Sequence, residues 1–459
     1  MLIVVLAYLA FFELAACLFR LGPRRAPSQG LITTVPLSHR ELPGPGLRTV
    51  SLQCLSFLGG HDVSSDEGHP YTAPQWTASV LPGNVVKKPT TGFPVCYTRG
   101  AVMHVSAEFH LQRAVNQHGV RVVGKGPDGL KFIAQVNVAN DHFSIANVRA
   151  NTKLSGAVQF FDPFRIRWKV SFDEGTTWIP AGTTENRLYV TLSKPETEPL
   201  YETLLDIGCR HATGCADSST ATSAIWHSFQ KRNADGTLPG VARKSVDGFG
   251  QPDGHTMRYW LEEKDPLNLQ LSEKCHELRD LLNPHPVDSR LNGVGTCQAW
   301  TELLEDVLKA QGIADVEQVV VTPANGRTYL GAGFLVKTRA FYEACLRNLP
   351  VTDLQEMLST LPTIHGQGTV NPPTGFVNHS LVLVSGTYYD PSYGNGPFTG
   401  VNDTEAKHAW ERATLGAFVV DCLNNGSTNR TVVPFRSVSL DGEADFKLLA
   451  HNRQAAPGI

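Results

Sequence analysis

Three side chains of the types that carry out acyl chemistry stand apart in this sequence: Cys297 inside a glycine-rich turn, His379 at the head of an apolar run, and Asp390 shortly after it. A thiolate is a nucleophile for carbonyl carbon, an imidazole moves the proton, and a carboxylate holds the imidazole in one tautomer. That chemistry requires the three to converge, so the elements around them decide whether the set is meaningful.

Cys297 follows Gly293-Val294-Gly295-Thr296, and Trp300, Leu303, Leu304, Val307 and Leu308 then recur at helical spacing. Gly312 is placed to stop that helix. The pattern predicts Cys297 in the first helical turn, where unpaired N–H groups and the positive end of the helix dipole favour a thiolate. The backbone N–H of Cys297 is itself a candidate oxyanion donor there. Downstream, His379–Val384 reads as a strand, Ser385-Gly386 as a turn and Tyr388-Tyr389 as a returning strand. That hairpin brings Asp390 back beside His379. His365 is a rival base, but it lies in a Gly/Pro-rich loop with no strand and no nearby carboxylate, so His379 is preferred.

Gly295, Cys297 and Trp300 open a helix that ends at Gln311-Gly312-Ile313. They are followed by His379, Val382, Gly386 and Tyr388-Tyr389-Asp390-Pro391-Ser392. This combination resembles the transglutaminase-like superfamily of papain-type folds over roughly residues 200–435. The resemblance implies Cys297 as nucleophile, His379 as base and Asp390 as orienting residue. It also implies a tryptophan upstream whose indole N–H faces the oxyanion, a role that falls on Trp260; Gln298 is a further candidate donor if its side chain turns back. The family's cross-linking branch has Gln and Trp flanking the cysteine, where this chain has Thr296 and Gln298. Hydrolysis of an amide and transfer of its acyl group to an amine both stay open.

The expected fold is α+β: a papain-like transglutaminase core of helices and antiparallel sheet over 198–438, preceded by an all-β immunoglobulin-like sandwich over 95–197. The sandwich rests on runs such as Val120–Val123, Phe132–Val138, Ile166–Phe172 and Leu188–Leu192, separated by Gly and Asp turns. Trp168 and Trp178 read as packing residues. Residues 22–94, rich in Pro, Gly, Ser and Thr, read as a linker or loosely packed lead-in, and 439–459 as a polar tail that frays. Residues 1–21 hold an apolar signal or anchor segment, with 2–19 suited to membrane or envelope association; export or anchoring is favoured over a cytoplasmic location.

With 18% charged residues and a net charge of −3, the chain has an ordinary globular composition and no general pull towards nucleic acid. Its nine cysteines are too sparse for a disulfide scaffold. Cys209, His211 and Cys215 cluster and could close a small disulfide ring or offer three metal ligands; no second pair follows at zinc spacing, so free thiols are expected ahead of both. No nucleotide, haem or Mg²⁺ motif occurs, and no cofactor is expected. The expected partner is a peptide or protein substrate; the competing reading is a non-catalytic envelope binding or assembly protein that uses the same fold as a scaffold.

Overall fold

A computed structural model describes residues 49–78, 92–242, 256–261, 274–283, 289–323, 333–346, 361–424, 427–434 and 444–449. The apolar run at 2–19 lies outside the described residues. Among the described ones, no helix is long and apolar enough to cross a membrane. The architecture is α+β with strand predominating.

The first part is all β. Strands β1 (Val50–Leu58), β2 (Trp76–Thr77), β4 (His104–Leu111) and β7 (His142–Arg149) form one sheet in the order β2-β1-β4-β7. Strands β3 (Val95–Thr98), β5 (Gln117–Lys125), β6 (Lys131–Val138), β8 (Gln159–Ser171) and β9 (Ile179–Thr191) form a second, in the order β3-β9-β8-β5-β6. Alternation explains the pairing: Val105, Ala107, Phe109 and Leu111 of β4 are buried, as are Phe164, Ile166, Trp168 and Val170 of β8. The two sets meet in one core, where the Phe109 and Trp168 rings lie 5.9 Å apart. The lead-in reading of 22–94 is corrected here. Val50–Leu58 pairs with His104–Leu111 along its whole length, because Val50, Leu52, Leu55 and Phe57 supply core side chains. Pro and Gly density in the flanks hid that strand.

The second part is arranged around helix α4 (Cys297–Ala310), preceded by α1 (Glu202–His211), α2 (Ser218–Gln230) and α3 (Leu278–Leu282). The predicted apolar face is the buried one: Trp300, Leu303, Leu304, Val307 and Leu308 are at most 1% exposed, each worth about 1.5–3 kcal/mol by transfer. Helix α3 is short, since 274–277 ahead of it are not helical. At the far end of α4, Gly312 takes a left-handed φ of 71°, Gly312 N–H donates to Lys309 O at 2.8 Å and Ile313 N–H to Leu308 O at 3.2 Å, a Schellman stop. A side chain at Gly312 would also strike Lys194 O at 2.5 Å.

Strands β12 (Val316–Pro323), β15 (His379–Val384), β16 (Thr387–Asp390), β17 (Asn395–Phe398) and β20 (Ala444–Leu448) form an antiparallel sheet ordered β17-β16-β15-β12-β20. A second sheet, β14-β13-β18-β19, joins β13 (Gly333–Val336), β14 (Gly375–Phe376), β18 (Leu415–Asn424) and β19 (Ser427–Pro434). Helix α5 (Arg339–Leu346) follows β13, and α6 (Asp403–Thr414) leads into β18. The fraying expected of 439–459 is also corrected: Ala444–Leu448 pairs with β12, with Phe446 opposite Val321 and packed against Tyr388 and Trp410. The remainder of that tail, 439–443 and 450–459, lies outside the described residues.

Residues from 49 onward form one compact unit. Cys96, Tyr189 and Leu192 from the β part share a core with α1 and α4. Polar ties reinforce it. Ser193 N–H donates to Gln311 O and Glu196 N–H to Lys309 O, both at 2.9 Å, satisfying terminal carbonyls of α4. Arg187 of β9 pairs with Glu202 of α1 at 2.8 Å with both side chains buried, and the Tyr71 hydroxyl donates to the same carboxylate at 2.9 Å. Glu202→Ala leaves the guanidinium buried without its partner; chemical denaturation is expected to show a loss of about 3–5 kcal/mol.

Candidate active site

The turn before α4 is built by two glycines with different duties. Gly293 has φ 68°, while Gly295 leaves room for Leu281 and Ala299, whose atoms lie 2.8 and 2.9 Å from where a Cβ would sit. Val294–Gly295 forms strand β11, parallel to β10 (Arg258–Tyr259), with Tyr259 opposite Gly295. Trp260 N–H then donates to Gly295 O at 3.2 Å, so the bridge sets Trp260 beside the cysteine turn. Cys297 occupies the first helical position after an N-cap Thr296 that makes no side-chain cap, so its N–H has no acceptor within the helix.

The hairpin forms as expected and fixes His379 against Asp390. Ser385 and Gly386, at φ 48° and 80°, make the two-residue turn, pairing Val384 with Thr387 and Val382 with Tyr389. Continued one step, that register sets Asp390 across from Leu381, on the strand face that also carries His379. His379 Nε2 lies 3.0 Å from Asp390 Oδ2, with both side chains fully buried. Trp410 Nε1 donates to the same oxygen at 3.1 Å. Rings enclose the imidazole: Tyr393 at 5.1 Å and 15°, Trp410 at 5.9 Å and 17°, Phe376 at 4.9 Å and 38°.

The other ring nitrogen, Nδ1, is buried and makes no hydrogen bond; Cys297 is the neighbouring thiol that acts on the ring from outside this box. Burial works against a charged imidazole. Asp390, by charge and hydrogen bond, and Cys297 outweigh it and push His379 up to about 10. Burial likewise penalises the Cys297 thiolate, yet the His379 ring, then the Ser380 N–H and hydroxyl, carry its pKa below the ordinary thiol value. Other cysteines behave oppositely: Cys209 is pushed up to about 12 and Cys275 to about 11, each chiefly by burial. Cys209 and Cys215 are both free, and Gln311 Nε2 donates to the Cys209 sulfur at 3.3 Å.

Cys297 is the half-buried member of the set and opens on a cavity of about 440 Å³. Trp260, Gln298, His276, Phe376, Val377 and Leu449 contribute to its walls. Trp260 has a left-handed φ of 59°, and its indole N–H is buried without an acceptor. A bulky residue in that conformation costs about 1–3 kcal/mol and such strain gathers at functional sites. Gln298 is held differently from the expectation: its Nε2 donates along the helix to Glu302 Oε1 at 3.3 Å instead of turning back towards the sulfur. His365 Nδ1 donates to Val370 O at 2.9 Å on the exposed loop, and His365 is not part of the cavity wall.

Sequence reasoning missed Ser380, Trp410, Tyr393 and Phe376. Ser380 and Tyr393 sit beside the motif residues and could have been flagged by adjacency alone. Trp410 could not, because its helix belongs to a separate stretch and carries no site pattern. Among the described residues, no group of three or more His, Cys, Asp or Glu is placed to hold a metal ion. No family model matches this chain, and no curated protein matches it significantly.

The paired shifts define a pH window. Cys297 releases its proton below the ordinary thiol value of 9.0, and His379 keeps its own up to about 10, so thiolate and imidazolium coexist between those limits. The rate of Cys297 alkylation by iodoacetamide, followed by peptide mass spectrometry, is expected to rise below pH 9 and stay level to about 10. Asp390→Asn should move that rise upward, since the imidazolium loses its main support.

Proposed function

We propose that the chain is a thiol-dependent enzyme that hydrolyses an amide of a peptide or protein substrate, or transfers its acyl group, through Cys297, His379 and Asp390. The carrying observation is a buried imidazole that Asp390 holds at 3.0 Å through Nε2, with Cys297 at the start of α4 opening on the cavity. In this reading the fold is a transglutaminase-like, papain-type core behind an immunoglobulin-like sandwich. The helix start under the sulfur and the two face-to-face sheets ahead of it support that reading.

The chemistry follows from the geometry. The Cys297 thiolate adds to the amide carbon, and negative charge collects on the carbonyl oxygen. The Cys297 N–H and the acceptorless Trp260 indole N–H are the available donors for that charge. His379 gives its proton to the leaving nitrogen, the C–N bond breaks and a thioester remains. The neutral imidazole then takes a proton from water or from an incoming amine, which attacks the thioester and regenerates the thiolate. Asp390 keeps the ring oriented and supports its charge throughout.

A thiol-directed electrophilic probe is expected to label the wild-type chain and not Cys297→Ala, while a peptide library read by mass spectrometry yields acid or amine-exchanged products only from wild type. Absence of any product, with Cys297 nonetheless reactive, would favour the scaffold role over catalysis. Trp260→Phe keeps the ring and removes the N–H. It should lower kcat by about 10²–10³ with KM little changed, and iodoacetamide alkylation of Cys297, which forms no oxyanion, should proceed at the wild-type rate.

A further inference from the structure

A second cavity, about 620 Å³, lies on the outer face of the β3-β9-β8-β5-β6 sheet, in the β part of the chain. Its lining is basic and aromatic. Arg165, Arg167 and Lys169 project from β8 on the face opposite the buried Ile166 and Trp168, and Lys125 of β5 pairs directly with Arg167. Trp178 forms one wall, with the Lys169 ammonium 4.6 Å from its ring centre. At one end Glu185 already seats a carboxylate on Arg165 Nε at 2.6 Å. Arg167, Lys125 and Lys169 form no ion pair among the described residues, in a chain whose net charge is −3. The face is therefore a local reversal of charge on which Arg167, Lys125 and Lys169 lack a carboxylate partner among the described residues.

We propose that this face binds an extended acidic peptide segment of a partner protein whose carboxylates fall at alternate positions. Spacing selects that occupant. Cations at every second residue of a strand stand about 6.8 Å apart, which is also the side-chain repeat on one face of an extended peptide. A peptide lying along β8 sets successive carboxylates on Arg167 and Lys169, while Lys125, one strand over, shares the carboxylate at Arg167. The Arg165–Glu185 pair marks one boundary of the track. Intervening side chains of the peptide point to solvent, so their identity matters little. The rigid sheet requires no rearrangement to receive the ligand, and charge complementarity sets selectivity and association rate.

The test is fluorescence anisotropy on the full chain. Its probes are a labelled peptide alternating Glu and Ser, the same composition with its glutamates in one block, an alternating Lys-Ser peptide, an oligoribonucleotide and a sulfated glycan. Saturable binding of the alternating acidic peptide, preferred over the block peptide, is expected. Arg167→Glu combined with Lys125→Glu should weaken it about tenfold or more. Arg149→Glu, an exposed change on the other sheet, should leave it unchanged, and Arg167→Ala with Lys125→Ala should give an intermediate loss with an unaltered thermal melt. Failure to saturate, equal affinity for the block peptide, wild-type binding by the Arg167/Lys125 variants, or tighter binding of the oligonucleotide or glycan would overturn the proposal. Because Cys297 alkylation is measured independently, this result stands or falls apart from the catalytic reading.

Discussion

An imidazole and a carboxylate shut away from water form the constraint on which the site depends. His379 and Asp390 have no solvent exposure, and a charge so placed is costly unless neighbouring groups meet it. Asp390 Oδ2 takes both the His379 ring and the Trp410 indole, while flat rings of Tyr393, Trp410 and Phe376 exclude water from the imidazole. Each of those rings comes from a different element, so the sheet, α6 and the loop after β16 must all be in place before the pair can exist. Half-buried Cys297 is where this closed box meets the open cavity.

Helix α4 brings the two halves of the problem together. Its apolar face fills the core of the second part, and that packing fixes where its first turn points. The amide groups of that turn, the Ser380 N–H and the imidazolium all favour negative charge at one atom, against the penalty of burial. Cys209 shows the result when burial dominates: a thiol raised to about 12. The difference between the two cysteines is one of placement, not of residue type.

Much of this was legible because it is local. Helical spacing from Trp300 to Leu308 defined the buried face, and Ser385-Gly386 defined a hairpin register that delivers Asp390 to His379. What escaped depends on long-range packing. Val50–Leu58 looked like part of a Pro/Gly-rich lead-in because its flanks dominate the composition, yet its alternation suits a strand. Ala444–Leu448 looked like a polar tail because Asp445 and Lys447 mask Phe446, whose burial needs Tyr388 and Trp410 from elsewhere. Gln298 has Glu302 four residues on in the predicted helix, a legible i,i+4 partner that takes its amide in place of any turn back towards the sulfur. The left-handed backbone at Trp260 also leaves no mark in sequence, since glycine is the residue that ordinarily announces it.

The junction at Ser193–Glu196 has one more consequence. Its N–H groups close the far end of the helix whose near end carries the sulfur, and Gly312 packs there against Lys194. A shift of the β layers at this seam would bear directly on the C-terminal end of α4, the helix that starts at Cys297. The two parts share a core and these backbone bonds, and a graft of the second part onto another chain would have to carry the seam with it.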